Sequence, residues 1–104
     1  MGVKTAIIGL GIMGRRMAEH MSKHPDYELT GLWDPNPEAC KTAQSILPKA
    51  PISTTAEDAI LGADLVYLAC PPEPRKAYAI FAADAGKAVF LKNHWASTSL
   101  KARL

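Results

Sequence analysis

Cysteine is scarce: only Cys40 and Cys70 occur in 104 residues. Two thiols cannot lace a disulfide scaffold. Neither sits in a Cys-x-x-Cys or Cys/His cluster, so no metal site is expected. Charge of one sign is not in excess either. Twelve basic residues face ten acidic ones, for a net charge of +2, and Arg15-Arg16 is the densest basic spot. That balance gives no electrostatic reason to expect nucleic acid or a membrane surface as a partner. Long apolar runs are missing as well. The run from Ala6 to Leu10 is short and interrupted by Gly9, unlike the core of a signal peptide and far below the roughly 20 residues of a membrane span. Ala6 stands where a myristoylation signal opening on Met1-Gly2 needs Ser or Thr. A reduced, cytoplasmic setting is the default expectation.

What remains is an ordinary globular composition, 48% hydrophobic and 21% charged, sized for one small domain. Apolar runs of strand length alternate with helical patterns, which argues for βαβ units and a parallel sheet. Strands are expected at Lys4–Gly9, Tyr27–Trp33, Leu65–Ala69 and Ala88–Leu91, with a weaker one near Ile52-Ser53. The first helix is expected from Ile12 to Lys23, burying the i+4 stripe Met13, Met17 and Met21 and stopped by Pro25. A second runs from Pro37 to Leu47, with Asn36 as N-cap and an apolar face of Ala39, Ala43, Ile46 and Leu47. Thr55 and Asp58 resemble a capping box opening a short third helix to Leu61. A fourth is expected over Pro74–Ala85, burying Ala77, Ile80 and Phe81 and closed by Gly86. The pattern predicts an α/β fold of the Rossmann type, a doubly wound parallel sheet of about five strands ordered 3-2-1-4-5.

The chemistry concentrates in Gly9-Leu10-Gly11-Ile12-Met13-Gly14. A bare G-x-G-x-x-G carries little weight, but this one follows an apolar strand and opens an amphipathic helix. Gly9 permits the tight turn, Gly11 lets the backbone approach a pyrophosphate, and Gly14 lets helix pack on sheet. Ile12 and Met13 open the helix, whose free N–H groups and dipole suit an anion. Asp34 ends the second strand where a ribose-binding acid belongs; its charge repels a 2′-phosphate and favours NAD over NADP. The alternative is a turn aspartate ahead of Asn36-Pro37. Cys70-Pro71-Pro72 closes the strand beginning at Leu65, at the sheet edge where such folds bind ligands; the alternative is a plain strand terminator. Cys70 reads as a small hydrophobe. His20 and His24 read as a solvated helix end.

With these residues assembled, the chain resembles the N-terminal domain of the Gfo/Idh/MocA oxidoreductases (glucose-fructose oxidoreductase, inositol dehydrogenase and relatives). The resemblance runs from Val3 to Leu91, on Gly9–Gly14, Asp34-Pro35-Asn36-Pro37, Ala69-Cys70-Pro71-Pro72 and Ala85–Val89. It implies a dinucleotide cofactor and, in full-length relatives, hydride exchange with a sugar or polyol held mostly by a second domain. Arg75 stands where the family often has His. The family's last strand runs into Glu-Lys-Pro, whose Lys acts near the nicotinamide; here Lys92 falls on the Glu position and Asn93 on the Lys position. In an extended segment neighbouring side chains point to opposite faces, so Lys92 is out of register. No catalytic residue is therefore assigned. Residues 1–91 are expected to be the Rossmann domain and 92–104 a divergent tail. With suitable codons, a one-nucleotide deletion converts Leu-Glu-Lys-Pro-Leu-Gly into the Leu91–Ala96 sequence, so an out-of-frame tail on a truncated enzyme is the working hypothesis; a neighbouring frame without a substrate domain sinks it. Two other readings stay open, a stand-alone nucleotide sensor and a non-binding remnant. The strand Ala88–Leu91 is expected to leave a sheet edge through which copies can associate.

Overall fold

A computed structural model of the chain describes residues 2–91. The elements run β1 (Val3–Ile8), α1 (Ile12–Ser22), β2 (Tyr27–Trp33), α2 (Pro37–Ile46), α3 (Ala56–Leu61), β3 (Leu65–Leu68), α4 (Pro72–Asp84) and β4 (Ala88–Leu91). The strands form one parallel sheet ordered β2-β1-β3-β4. The chain steps from β1 outward to β2, then crosses back to place β3 on the other side of β1. That reversal leaves a crevice above the carboxyl end of β1, the switch point of a doubly wound sheet.

Alternation along β1 supplies two cores at once. Ala6 and Ile8 face one layer with Ile60, Val66, Leu68, Ala82 and Val89. Ile7 faces the other with Ala18, Met21, Leu32, Ala43 and Tyr67. Ile7 and Ile8 are fully buried, each contributing about 1.5–3 kcal/mol by removal from water. A strand covered on both faces explains why β1 reads as a continuous apolar run. The helix starts follow local chemistry: Asn36 Oδ1 accepts from the Glu38 N–H at 3.0 Å, and Thr55 Oγ1 accepts from the Asp58 N–H at 3.0 Å.

The structure corrects five expectations. The strand near Ile52-Ser53 shrinks to one parallel bridge, Leu32 with Ile52, so the sheet has four strands rather than five. Pro51 accepts from the Leu32 N–H at 2.9 Å but has no N–H to extend the ladder. The bridge still lies outside β2, where a third strand of the expected order belongs. The fourth helix opens at Pro72 rather than Pro74, with Pro71 as its N-cap; first-turn prolines cost nothing there, because those N–H groups have no helical acceptor.

The methionine stripe of α1 is graded. Met21 is buried and Met17 half-buried, but Met13 is 47% exposed, because the first turn of α1 stands at the sheet's carboxyl edge. On α4 the buried face is turned from the expected one. Ala77 and Ile80 are exposed, while Ala82 is fully buried and Tyr78 and Phe81 pack beside it. Ala82 shares its layer with Ala56 and Ala59 of α3, and small side chains are what let two helices approach closely. On α2, Ala43 is buried, yet Ile46 is 41% exposed.

Candidate functional site

Three strands converge on the turn after β1. The Gly9 N–H donates to the Trp33 carbonyl at the end of β2, and the Ala69 N–H donates to the Ile8 carbonyl, both at 2.8 Å. The chain then reverses through Gly9 at φ +100°, a conformation that a side chain resists. A Cβ at Gly9 would also stand 2.7 Å from the Cys70 nitrogen. At Gly14 a Cβ would overlap the Gly9 carbonyl oxygen, so the first turn of α1 can lie against the loop only without one. At Gly11, the N-cap of α1, a Cβ would meet nothing within 4 Å. Gly11, Ile12 and Met13 are all exposed, so this face of the loop is open to a ligand.

Asp34 reaches the same loop from the end of β2. Its Oδ2 accepts from the Leu10 N–H at 2.7 Å, and its Oδ1 accepts from the Asn36 N–H at 2.7 Å. The carboxylate is therefore a turn acceptor and a tether of the glycine loop together. A carboxylate has about four acceptor positions, so both oxygens keep capacity for ligand hydroxyls. From the other side, Arg15 Nη1 donates to the Leu10 carbonyl at 3.0 Å. Sequence reading found the loop and the acid but neither clamp on Leu10. The signal for the second was the placement of Arg15 directly after Gly14.

At the end of β3, the Cys70 side chain is buried in the core layer that also contains Ile8 and Val89. Pro71 is exposed, and Pro72 begins α4. Trp33 and Tyr78 pack edge to face beneath this end of the sheet, with ring centroids 6.1 Å apart. Burial raises the Tyr78 phenol above its ordinary value, with Glu57 and Cys70 adding to the effect. Burial likewise raises Tyr67. His20 and His24 are exposed, and His24 lies 3.8 Å from the Asp26 carboxylate. Among the described residues no group of three His, Cys, Asp or Glu side chains could hold a metal. No helix there is long and apolar enough to cross a membrane. A cavity of about 540 Å³ lies at the opposite, amino end of the strands, lined among others by Tyr27, Leu29, Leu47 and Pro48. It shares no residue with the glycine loop or Asp34.

The profile of the Gfo/Idh/MocA group, "Oxidoreductase family, NAD-binding Rossmann fold", matches residues 3–93. The chain belongs to this oxidoreductase family. NAD is the cofactor of the family's fold, and the residues present suit it: an open, Cβ-free approach at Gly11, free helix N–H groups, and a carboxylate beside them. Solved structures of the same fold include GenD2 from gentamicin A biosynthesis in complex with NAD, at TM-score 0.78 and 23% identity, covering 86% of this chain and 26% of that one. Myo-inositol 2-dehydrogenase from Lactobacillus plantarum aligns at TM-score 0.79 and 24% identity, over 99% of this chain and 32% of that one. Scyllo-inositol dehydrogenase from Lactobacillus casei aligns at TM-score 0.78 and 22% identity, over 98% and 34%. At these identities the likeness is one of fold. The chain spans about a quarter to a third of these family structures. No curated protein matches its sequence closely enough to count as a relative. Lys92, Asn93 and the rest of the expected tail lie outside the described residues.

Proposed function

We propose that the chain binds NAD(H) at the carboxyl end of its sheet, as the cofactor-binding part of an oxidoreductase acting on a sugar or polyol hydroxyl. The pyrophosphate lies over Gly11, Ile12 and Met13, where backbone N–H groups and the α1 dipole meet it. Gly9 and Gly14 shape the loop. Asp34 accepts from the adenosine ribose hydroxyls and repels a 2′-phosphate, so NAD is preferred to NADP. Cys70, Pro71 and Pro72 close the site at the end of β3, with the Cys70 main chain against Gly9. The bound nicotinamide supplies the hydride acceptor; the described residues supply binding and orientation.

The observation that carries this reading is the 2.7 Å hydrogen bond from the Leu10 N–H to Asp34 Oδ2. It joins the phosphate loop and the ribose acid, 24 positions apart in sequence, into one surface. Calorimetric titration with NAD(H) and NADP(H) tests it. Weak but saturable binding with NAD preferred is expected; no saturation at millimolar NAD(H) refutes it.

A further inference from the structure

The geometry points to Arg15 as the positioning residue that aims the glycine loop's donor at the ligand phosphate. The inference rests on the dinucleotide reading above and goes beyond it, since that reading gives Arg15 no task.

Arg15 is half-buried one residue after Gly14, and its Nη1 holds the Leu10 carbonyl at 3.0 Å. Its own main-chain N–H donates to the Gly11 carbonyl at 2.9 Å, closing the first turn of α1. One residue thus grips the Leu10 and Gly11 carbonyls. A trans peptide is planar, and its C=O and N–H leave in opposite directions. A Leu10 carbonyl held on the guanidinium therefore turns the Gly11 N–H away from Arg15. That N–H has no acceptor among the described residues, and a Cβ added at Gly11 would meet nothing within 4 Å. The Leu10 N–H, on the preceding peptide, is held by Asp34, so Leu10 is anchored on that side and turning the Leu10–Gly11 peptide over breaks the bond to Arg15. Arg15 forms no ion pair within 4.0 Å among the described residues, so no carboxylate competes for its grip on the loop. The outcome is a donor fixed before any anion arrives, a preorganisation that lowers the ordering cost of binding.

The test uses the 104-residue chain with ADP, which carries a pyrophosphate, and adenosine, which does not. Arg15→Met keeps most of the stem and removes the donor; Arg15→Lys restores a donor. The methionine variant is expected to bind ADP about tenfold more weakly, with adenosine affinity within about twofold. The lysine variant is expected to recover most of the loss. In ligand-free protein the Gly11 amide resonance is expected to move in Arg15→Met, and in wild type ADP is expected to shift it downfield. Unchanged ADP affinity in Arg15→Met overturns the inference. So does an equal fall for ADP and adenosine, or a fall without movement of the free-state Gly11 amide. If Arg15→Met does not fold, the wild-type Gly11 resonance decides alone, and no response to ADP is fatal. Wild-type protein that binds neither ADP nor NAD overturns the dinucleotide reading together with this one. Wild-type binding with an indifferent Arg15→Met overturns only the role of Arg15.

Discussion

Replacing Asp34 with alanine is expected to destabilise the fold before any cofactor is added. The carboxylate accepts two main-chain hydrogen bonds at 2.7 Å, and the substitution removes both. Their values differ. Leu10 has no solvent exposure, so its N–H loses a partner that water does not readily replace, at about 1–3 kcal/mol. Asn36 is exposed, so water takes over its N–H and the loss is about 0.5 kcal/mol. The sum, about 1.5–3.5 kcal/mol, corresponds to a fall in Tm of about 6–28 °C for a domain of this size. Asp34→Asn keeps one acceptor oxygen and is expected to lose about half as much. The assay is thermal unfolding followed by circular dichroism on ligand-free protein. An Asp34→Ala protein melting within about 3 °C of wild type would refute the claim that Asp34 holds the loop. Cofactor-preference variants at this position therefore need their stability measured beside their affinity.

Gly11→Val is expected to leave the melting temperature nearly unchanged, because a Cβ there meets nothing, while weakening NAD and NADP alike by occupying pyrophosphate space. Gly14→Ala is expected to do the reverse and compromise folding, because its Cβ meets the Gly9 carbonyl oxygen; comparable melting of the two variants contradicts the loop geometry. Asp34→Ser combined with Pro35→Arg is expected to raise NADP affinity relative to NAD in competitive titration, and an unmoved ratio reduces Asp34 to a turn residue. Burial raises the Tyr67 phenol above its ordinary value of about 10. The unfolded chain therefore releases that proton first; stability is intact below about pH 10 and is lost as pH rises through the folded-state value. Tyr67→Phe is expected to flatten the alkaline fall in urea midpoint, and parallel curves for the two proteins count against it. The chain incubated with NAD and a panel of polyols is expected to show no reduction of cofactor by absorbance. Turnover that survives Asn93→Ala and vanishes in Lys92→Ala identifies a catalytic lysine at position 92.

Much of the fold was legible in the sequence because β1 and β3 are short apolar runs bounded by glycine and proline, and because Asn36 and Thr55 mark helix starts by their own chemistry. The glycine fingerprint and Asp34 were legible from spacing. The failures share a cause: periodicity tells that a helix has a buried face but not where its end projects. Met13 fits the stripe of α1, yet stands beyond the sheet's edge. Ile80 fits a helical face, yet the layer beneath α4 selects Ala82. Ile52 has the right residue type for a strand, but Pro51 removes the donor that a second rung needs. The two clamps on Leu10 were missed because each joins residues whose identities say nothing of Leu10; only the place of Arg15 directly after Gly14 hinted at one of them. They arise from the crossing of β1, β2 and α1.

That crossing limits how the nucleotide loop can be transplanted. The six residues Gly9–Gly14 depend on acceptors and neighbours that arrive late in the chain: Trp33 and Asp34 from β2, Ala69 and Cys70 from β3. A graft of the hexapeptide onto another strand-helix junction carries the glycines but not the groups that hold Leu10 in place. The smallest piece with its tether runs from Val3 to Asp34, and even that piece lacks the wall at Ala69-Cys70. The loop is a property of a three-strand junction, and a recipient scaffold has to supply that junction for the motif to keep its shape.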